Sequence, residues 1–170
     1  MKLLNNGTKI SYIGHSTFKI SSLKEKTIIV DPWIYGNPSC PEKFKEFEEI
    51  DIIAITHGHF DHMSDAINLA VEHGSKIVAN WEICGWLEKN GVKNCFPMNK
   101  GGSQKIDGID FIMTHAQHSS GIKDDYGNII YGGEPAGFII IMENDFRIYH
   151  AGDTNLFSDM KLISELYKPE

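Results

Sequence analysis

The sequence has little of what membrane spans, disulfide-stapled domains and nucleic-acid binders need. Among 170 residues there are only three cysteines, an odd number without Cys-x-x-Cys spacing, so no disulfide framework is expected. Lys and Arg total 16 against 23 Asp and Glu, which gives a formal net charge of −7. No basic run offers the clustered positive charge that phosphate backbones require, so we expect no nucleic-acid partner.

Long apolar runs are also missing. None approaches the ~18 residues of a membrane span, and residues 1–7 turn polar too early for a signal peptide. We therefore predict a cytoplasmic protein with no membrane span. At this length the chain fits one domain, residues 1–170, able to bury roughly 70% of its unfolded surface.

The most informative stretch is Thr-His-Gly-His-Phe-Asp-His at residues 56–62, which follows the apolar run at 52–55. Imidazole nitrogen and carboxylate oxygen are donors that zinc and similar cations accept. Two histidines alternate as on an extended chain and can share one ion, while the acid and the last histidine turn with the loop and can serve a second. The alternative is a solvated, histidine-rich turn. The four candidate ligands are His57, His59, Asp61 and His62.

Apolar alternation predicts three consecutive antiparallel strands at residues 8–14, 16–21 and 27–30. His15 lies in the first connection, where it either borders the site or is a surface turn residue. Asp31 ends the third strand, and a carboxylate there needs a partner such as the free N–H of a metal-binding imidazole. We predict that Asp31 orients a ligand, with a turn or cap role as the alternative.

Further elements follow from periodicity and turn residues. An Asp-Gly pair at 107–108 between apolar alternations predicts a hairpin. Ser64 is the expected cap of a helix that turns Ile67, Ala70 and Val71 inward and ends at Gly74. Helices are predicted at residues 42–49, 64–74, 81–90 and 156–167, and strands at 76–79, 94–98, 103–106, 109–114, 137–142 and 146–149.

Residues 57–62 resemble the His-x-His-x-Asp-His signature of the metallo-β-lactamase superfamily. The chain looks closest to small metal-dependent hydrolases related to sugar-acid lactonases and to the phospholipase D that cleaves N-acyl phosphatidylethanolamine. Four further stretches extend the resemblance over nearly the whole chain: Tyr-Ile-Gly-His-Ser at 12–16, Ile-Val-Asp-Pro at 29–32, His-Ser at 118–119, and His-Ala-Gly-Asp-Thr at 150–154.

The resemblance implies an α/β fold of the four-layer αββα type, two mixed β-sheets flanked by helices. It implies two divalent cations, with Zn²⁺ expected and Mn²⁺ or Fe²⁺ compatible with the ligand types. The family ligand immediately precedes Ser, which selects His118 over His115, and Asp153 is the bridging carboxylate. The implied metal ligands are His57, His59, Asp61, His62, His118 and Asp153, with His15 and Asp31 touching substrate or orienting ligands.

The sequence departs from the family at its end. No histidine follows Asp153, where the family carries a further strand and a final ligand of the second metal. We expect a truncated product or fragment whose C-terminal part is missing, or elements supplied by a second chain, with truncation favoured. On this interpretation the second metal binds more weakly than the first.

The expected activity is hydrolysis of an ester-like bond (lactone, phosphodiester, thioester or amide) in a small-molecule substrate by a metal-bound hydroxide. Asp61 is the expected catalytic residue, orienting the nucleophile and passing a proton to the leaving group. Histidine at 59, where diiron oxygen reductases of this superfamily carry Glu, favours zinc hydrolysis. The alternative is a non-enzymatic metal-binding or interaction module with an incomplete site. A homo-oligomer is compatible with the sequence, which does not decide the oligomeric state.

Overall fold

The computed structural model of the protein describes residues 7–170. Its larger sheet has six strands in sequence order. The first three pair antiparallel and the last four pair parallel, so this sheet is mixed. Its strands are β1 (Lys9–Gly14), β2 (Thr17–Ser21), β3 (Thr27–Val30), β4 (Ile52–Ala54), β5 (Lys76–Asn80) and β6 (Cys95–Met98).

The second sheet has four strands, all paired antiparallel in the order β12-β11-β8-β7. A separate two-stranded hairpin, β9–β10, joins β8 to β11. The strands are β7 (Ser103–Ile106), β8 (Ile109–His115), β9 (Gly121–Lys123), β10 (Ile129–Tyr131), β11 (Ala136–Ile141) and β12 (Arg147–His150).

Four α-helices accompany the sheets: α1 (Phe60–Met63), α2 (Ala66–His73), α3 (Trp81–Lys89) and α4 (Met160–Tyr167). Among the described residues, no helix is long and apolar enough to cross a bilayer.

Three buried clusters reveal the layers. One joins the larger sheet to α2 and α3, for example through Ile53, Leu69 and Ile83. The next fills the space between the sheets with side chains that include Val30, Phe111 and Phe138. The third packs α4 on the outer face of the smaller sheet through Ile139, Phe157 and Ile163. Helix, sheet, sheet and helix follow in that order, which confirms the four-layer αββα prediction.

The Asp-Gly hairpin is also confirmed. Asp107 and Gly108 have φ of 53° and 89°, as a two-residue turn matching the strand twist requires. The flanking strands pair in register from Ile106 opposite Ile109.

Predictions made from local sequence patterns are wrong at three places. Only Glu42–Phe44 forms a 3₁₀ turn, so the helix predicted at 42–49 is wrong. Phe44 and Phe47 already reach the core without the ordering cost of a helix. Ser64 ends α1 instead of capping α2, which begins after Asp65. Val71 is exposed, since α2 buries a narrower face than its apolar residues suggested.

Candidate metal centre

The candidate site lies where strands of both sheets end. Because β3 and β4 are parallel neighbours, Asp31 and Thr56 follow them at the same edge of the larger sheet. In the smaller sheet, His118 follows β8 and Asp153 follows β12. The turn between β1 and β2 brings His15 to the same place. Residues distant in sequence therefore meet in one depression.

His57, His59 and His118 form what we name the three-histidine cluster. Each offers one ring nitrogen, and these atoms lie within 4.8 Å of one another. His57 Nε2 is 3.0 Å from His59 Nδ1. His57 is fully buried, His118 is the most exposed of the three, and three imidazole nitrogens match a common zinc ligand set.

His15, His62 and Asp153 form the mixed cluster, whose ligand atoms also lie within 4.8 Å of one another. The clusters are adjacent, since the rings of His57 and His62 have centroids 4.0 Å apart. One site is thus nitrogen-only and the other combines nitrogen with a carboxylate oxygen.

Asp153 lies between the clusters. Its Oδ2 is 3.4 Å from His62 Nε2 and 3.8 Å from His118 Nε2, while Ser16 Oγ donates to its Oδ1 at 3.2 Å. Burial works against ionisation of Asp153, but the neighbouring His62 and His57 outweigh it and lower its pKa. One oxygen of the carboxylate thus faces a histidine of each cluster.

Asp31 supports both clusters from beneath. It is fully buried and accepts three hydrogen bonds at 2.8–2.9 Å, from Thr56 N to Oδ1 and from Thr56 Oγ1 and His62 Nδ1 to Oδ2. This is the contact predicted for it from the sequence, a carboxylate bound to the outer nitrogen of an imidazole.

Thr56 was not singled out from the sequence, yet it extends this support to His57. Its hydroxyl proton is donated to Asp31, so in the 3.0 Å contact with His57 Nδ1 the ring nitrogen is the donor. His57 and His62 therefore both carry their proton on Nδ1. Both Nε2 atoms face the clusters: that of His57 lies against His59 Nδ1, and that of His62 has no hydrogen-bond partner. A hydroxyl directly before the first ligand was the available sequence signal.

Electrostatics differ between the buried rings. Burial, and then the neighbouring His62, lowers the pKa of His57 from 6.5 to about 3. Burial and His118 likewise lower the pKa of His59. Burial opposes the charged form of His62 too, but the hydrogen bond and charge of Asp31 outweigh it and raise its pKa. His57 and His59 are thus held in the neutral form that a cation would bind.

One buried atom tests whether a cation fits here. His62 Nε2 is shielded from solvent and has no hydrogen-bond partner. Buried polar nitrogens are nearly always satisfied, and Asp153 Oδ2 lies 3.4 Å away without completing a hydrogen bond, so the nitrogen has room for a further partner such as a cation. Together with the imidazole and carboxylate donors, this makes the residues suitable for divalent cations.

The remaining predicted site residues lie nearby. Asp61, at the start of α1, belongs to neither cluster, and its Oδ2 is 2.9 Å from His15 Nε2. His115 lies outside both clusters, with its ring against Phe157 and Nδ1 3.2 Å from Lys100 Nζ. His150 Nε2 contacts the carbonyl oxygen of Ser16 at 3.3 Å, also outside the clusters.

The segment at 121–136 approaches the three-histidine cluster at Gly58. A Cβ added there would lie 2.7 Å from Ile122 Cγ1, so the close approach requires glycine. Gly58 N also donates to Ser120 Oγ at 3.0 Å, a contact that the sequence analysis missed. The hairpin β9–β10 is thereby fixed beside the ligands.

A cleft of about 900 Å³ opens beside this hairpin. Its walls include His118 and Ser119 on one side and Ile129 and Tyr131 on the other. Clefts of 300–1,000 Å³ are the usual size for small-molecule sites.

Comparison with known proteins agrees with this geometry. The chain is 48% identical, over 164 residues, to a UPF0173 metal-dependent hydrolase of Koribacter versatilis, which covers 96% of this chain and 70% of the relative. Among solved structures it is similar to Igni18, a metallo hydrolase of Ignicoccus hospitalis, with 34% identity, a TM-score of 0.78, and coverage of 96% of this chain and 68% of that one.

A more distant structure is CmlA, a diiron β-hydroxylase of Streptomyces venezuelae, at 19% identity with a TM-score of 0.69, covering 94% of this chain and 32% of that one. This likeness shows the fold alone. Residues 26–170 match the family described as the Beta-lactamase superfamily domain. The predicted resemblance is confirmed at that level, and the chain belongs to the metallo-β-lactamase superfamily.

Proposed function

We propose that the protein is a metal-dependent hydrolase that binds two divalent cations, Zn²⁺ first among them, and cleaves an ester-like bond in a small molecule. The observation that carries this is the pair of adjacent clusters with Asp153 Oδ2 between them, beside a buried His62 Nε2 that makes no hydrogen bond. The UPF0173 relatives, named metal-dependent hydrolases, support the same reaction class.

Cations held at these clusters supply an activated water and a Lewis acid for the scissile carbonyl or phosphoryl group. The chain's own residues do the rest. Burial keeps the His57 and His59 rings neutral, which favours binding of a cation. Asp31 and Thr56 fix the orientation of two rings through their Nδ1 atoms.

Asp61 is the proposed proton carrier. It is partly exposed, close to the mixed cluster, and is held by His15 Nε2 at 2.9 Å. From this position it can orient a water molecule and afterwards pass a proton to the leaving group. No serine or cysteine is needed as nucleophile.

The cleft beside His118 is the proposed substrate site. Ile129 and Tyr131 are about 70% exposed and form an apolar wall, which suits a non-polar part of a substrate. Lys100 does not offer a free positive charge, because its Nζ contacts Glu134 Oε2 at 2.8 Å and His115 Nδ1 at 3.2 Å. This favours substrates recognised more by shape than by charge.

The test combines metal analysis with turnover of bis-p-nitrophenyl phosphate and of a small lactone. We expect two equivalents of Zn²⁺ and hydrolysis that chelators abolish and Zn²⁺ restores. Asp61→Asn should lower kcat by at least about 100-fold, as loss of a general acid–base group does. The matched control is Asp110→Asn, because Asp110 lies in β8 near its start, away from the site, where it pairs with Lys105.

Two results would overturn the proposal. Failure of the wild-type chain to bind any divalent cation removes its basis. Full loading with two cations but no turnover of any ester-like substrate supports a non-enzymatic metal-binding module instead.

A further inference from the structure

The hairpin β9–β10 forms one wall of the proposed substrate cleft but has little packing of its own. All residues of β10, Ile129–Tyr131, are exposed. Tyr131 borders the cleft of about 900 Å³ and also a second cleft of about 380 Å³. Within the two strands Ile122 alone is buried, where it joins the core. The position of this wall therefore depends on hydrogen bonds at its base.

Those hydrogen bonds converge on Gly132, directly after β10. Gly132 N donates to the carbonyl oxygen of Ser120 at 2.9 Å. Its own carbonyl oxygen accepts from Ser120 Oγ at 2.9 Å and from Asn80 Nδ2 at 2.7 Å. Asn80 Nδ2 also donates to the carbonyl oxygen of Glu134 at 3.1 Å. Two buried side chains, Ser120 and Asn80, thus hold the base of the hairpin.

Asn80 reaches the hairpin from another part of the fold. It ends β5 and is the N-cap of α3, where its Oδ1 accepts from Ile83 N at 2.8 Å. Because its three partners are one donor and two acceptors, the amide oxygen must face the helix and the NH₂ group must face the hairpin. The residue is only 3% exposed, so water competes little for these bonds. Asn80 therefore ties the hairpin to a helix that is anchored in the core.

Capping of α3 alone does not require asparagine. A cap needs a side-chain oxygen, which Ser, Thr or Asp supplies as well, whereas the NH₂ group of Asn80 serves only the hairpin. The hairpin segment also approaches this amide closely. Gly133 has φ of 73°, and a Cβ there would lie 2.6 Å from Asn80 Nδ2, so the approach requires glycine.

We propose that Asn80 is a positioning residue of the substrate site. It holds the hairpin β9–β10 beside the metal centre, so that Ile129 and Tyr131 contact a non-polar group of the substrate. This rests on the proposed function, which places the substrate in the cleft beside this hairpin. Ser120 joins the same base to Gly58, between two of the metal ligands, so that the wall and the ligands belong to one hydrogen-bond network. A wall that is held in place before binding costs less ordering when the substrate arrives.

The test compares Asn80→Ser with the parent, each as the whole chain loaded with Zn²⁺. Serine still caps α3 but is too short to reach the hairpin. Hydrogen exchange should become about tenfold faster at the backbone amides of β9 and β10 and stay unchanged in β8, which also shows that the variant is folded.

Substrate kinetics provide the second measurement. KM for bis-p-nitrophenyl phosphate, whose aromatic rings can contact the hairpin, should rise at least about fivefold in Asn80→Ser, while kcat stays within about twofold. KM for a small lactone without an aromatic ring should change much less. Asn80→Asp keeps the cap and the side-chain length but replaces the NH₂ group, and it should change exchange and KM in the same direction.

Asn94→Ser is the matched control, because Asn94 Nδ2 also donates to a carbonyl oxygen, that of Gly74, away from the hairpin. It should behave like the parent in both measurements. Unchanged exchange in Asn80→Ser would refute the role of Asn80 in holding the hairpin. Faster exchange without a rise in KM, or an equal rise for both substrates, would refute its role in substrate binding, and both results leave the hydrolase proposal intact. Absence of turnover by the loaded parent would refute the hydrolase proposal and this inference with it.

Discussion

The three-histidine cluster and the mixed cluster are neighbours that differ in their carboxylate content and in the pKa values of their buried histidines. The first contains no carboxylate, and His57 and His59 are kept neutral by burial. The second contains Asp153 and a histidine, His62, whose pKa is raised by Asp31. Donor type and protonation are thus set separately at positions a few ångströms apart.

This difference indicates how cations are shared between them. Burial keeps His57 and His59 neutral, whereas Asp31 makes loss of a proton from His62 less favourable than from an ordinary histidine. The three-histidine cluster should therefore bind its cation more tightly at neutral pH, as the sequence also led us to predict. The following predictions test how far the two clusters are independent, beginning with the largest expected effect.

Asp31→Asn should disturb both clusters, because Asp31 supports His62 directly and His57 through Thr56. We expect a loss of roughly 3 kcal/mol in the unfolding free energy, measured by urea denaturation of the metal-free protein, since the variant breaks a buried charged network. Affinity for both cations should fall together. If only one cluster responded, Asp31 would not be their common support.

Asp107→Asn is the matched control for that variant. Asp107 pairs with Lys76 at the surface. Like Asp31 it has a positive φ, which Asn tolerates. Loss of the Asp107 charge should lower the unfolding free energy by less than about 1 kcal/mol and leave cation binding unchanged.

Gly58→Ala should act on the three-histidine cluster alone. The added Cβ clashes with Ile122 Cγ1 and pushes the backbone at residue 58 away from the β9–β10 hairpin. We expect the unfolding free energy to fall by about 1–3 kcal/mol. Gly85→Ala in α3 meets no atom within 4 Å and should stabilise by about 0.5–1 kcal/mol instead. Equal effects of the two substitutions on stability would mean that the approach at Gly58 is unimportant.

Thr56→Val should weaken the first cation about tenfold and the second much less. The variant keeps the side-chain shape but removes the hydroxyl that fixes His57 Nδ1. Thr56→Ser retains the hydroxyl and should bind like the parent. Competition with a fluorescent zinc chelator measures both affinities, and an identical loss in the Val and Ser variants would exclude the hydroxyl as the cause.

Lowering the pH should weaken cation binding at one cluster more than at the other, with a smaller effect than the substitutions above. The raised pKa of His62 means that, below that pKa, the second cation must displace a proton, so its affinity falls up to about tenfold per pH unit as pH decreases. His57, with its pKa lowered to about 3, adds no such dependence above pH 5. Calorimetric titration of each equivalent between pH 7.5 and 6 measures the difference, and equal slopes would contradict it.

Local sequence signals predicted much of the architecture. The bounds of β3 and β7 and the turn at Asp107 were obtained from alternation and turn chemistry, which depend only on neighbouring residues. The helix predicted at 42–49 did not form. The conformation of that segment depends on two phenylalanines that pack on a core formed by distant residues.

The site shows the same limit. The signature at 57–62 identified donors that lie close together in sequence and in space, whereas Thr56 and Ser120 matter through hydrogen bonds that depend on the packed fold. Local alternation placed His15 between β1 and β2, whereas the packing of its ring against Trp33 depends on the folded chain. The carboxylate of Asp61 was assigned to the second metal by family resemblance, and its contact with His15 is a feature of this fold.

The single carboxylate beneath both clusters has a consequence for how the centre fills. Asp31 is linked to the rings of both His62 and His57. A cation bound at one cluster therefore also orders the ring of the other cluster, so that binding of the second cation costs less conformational entropy. A cation at the three-histidine cluster, which we expect to fill first, should therefore make binding at the mixed cluster easier than it would be with the first cluster empty.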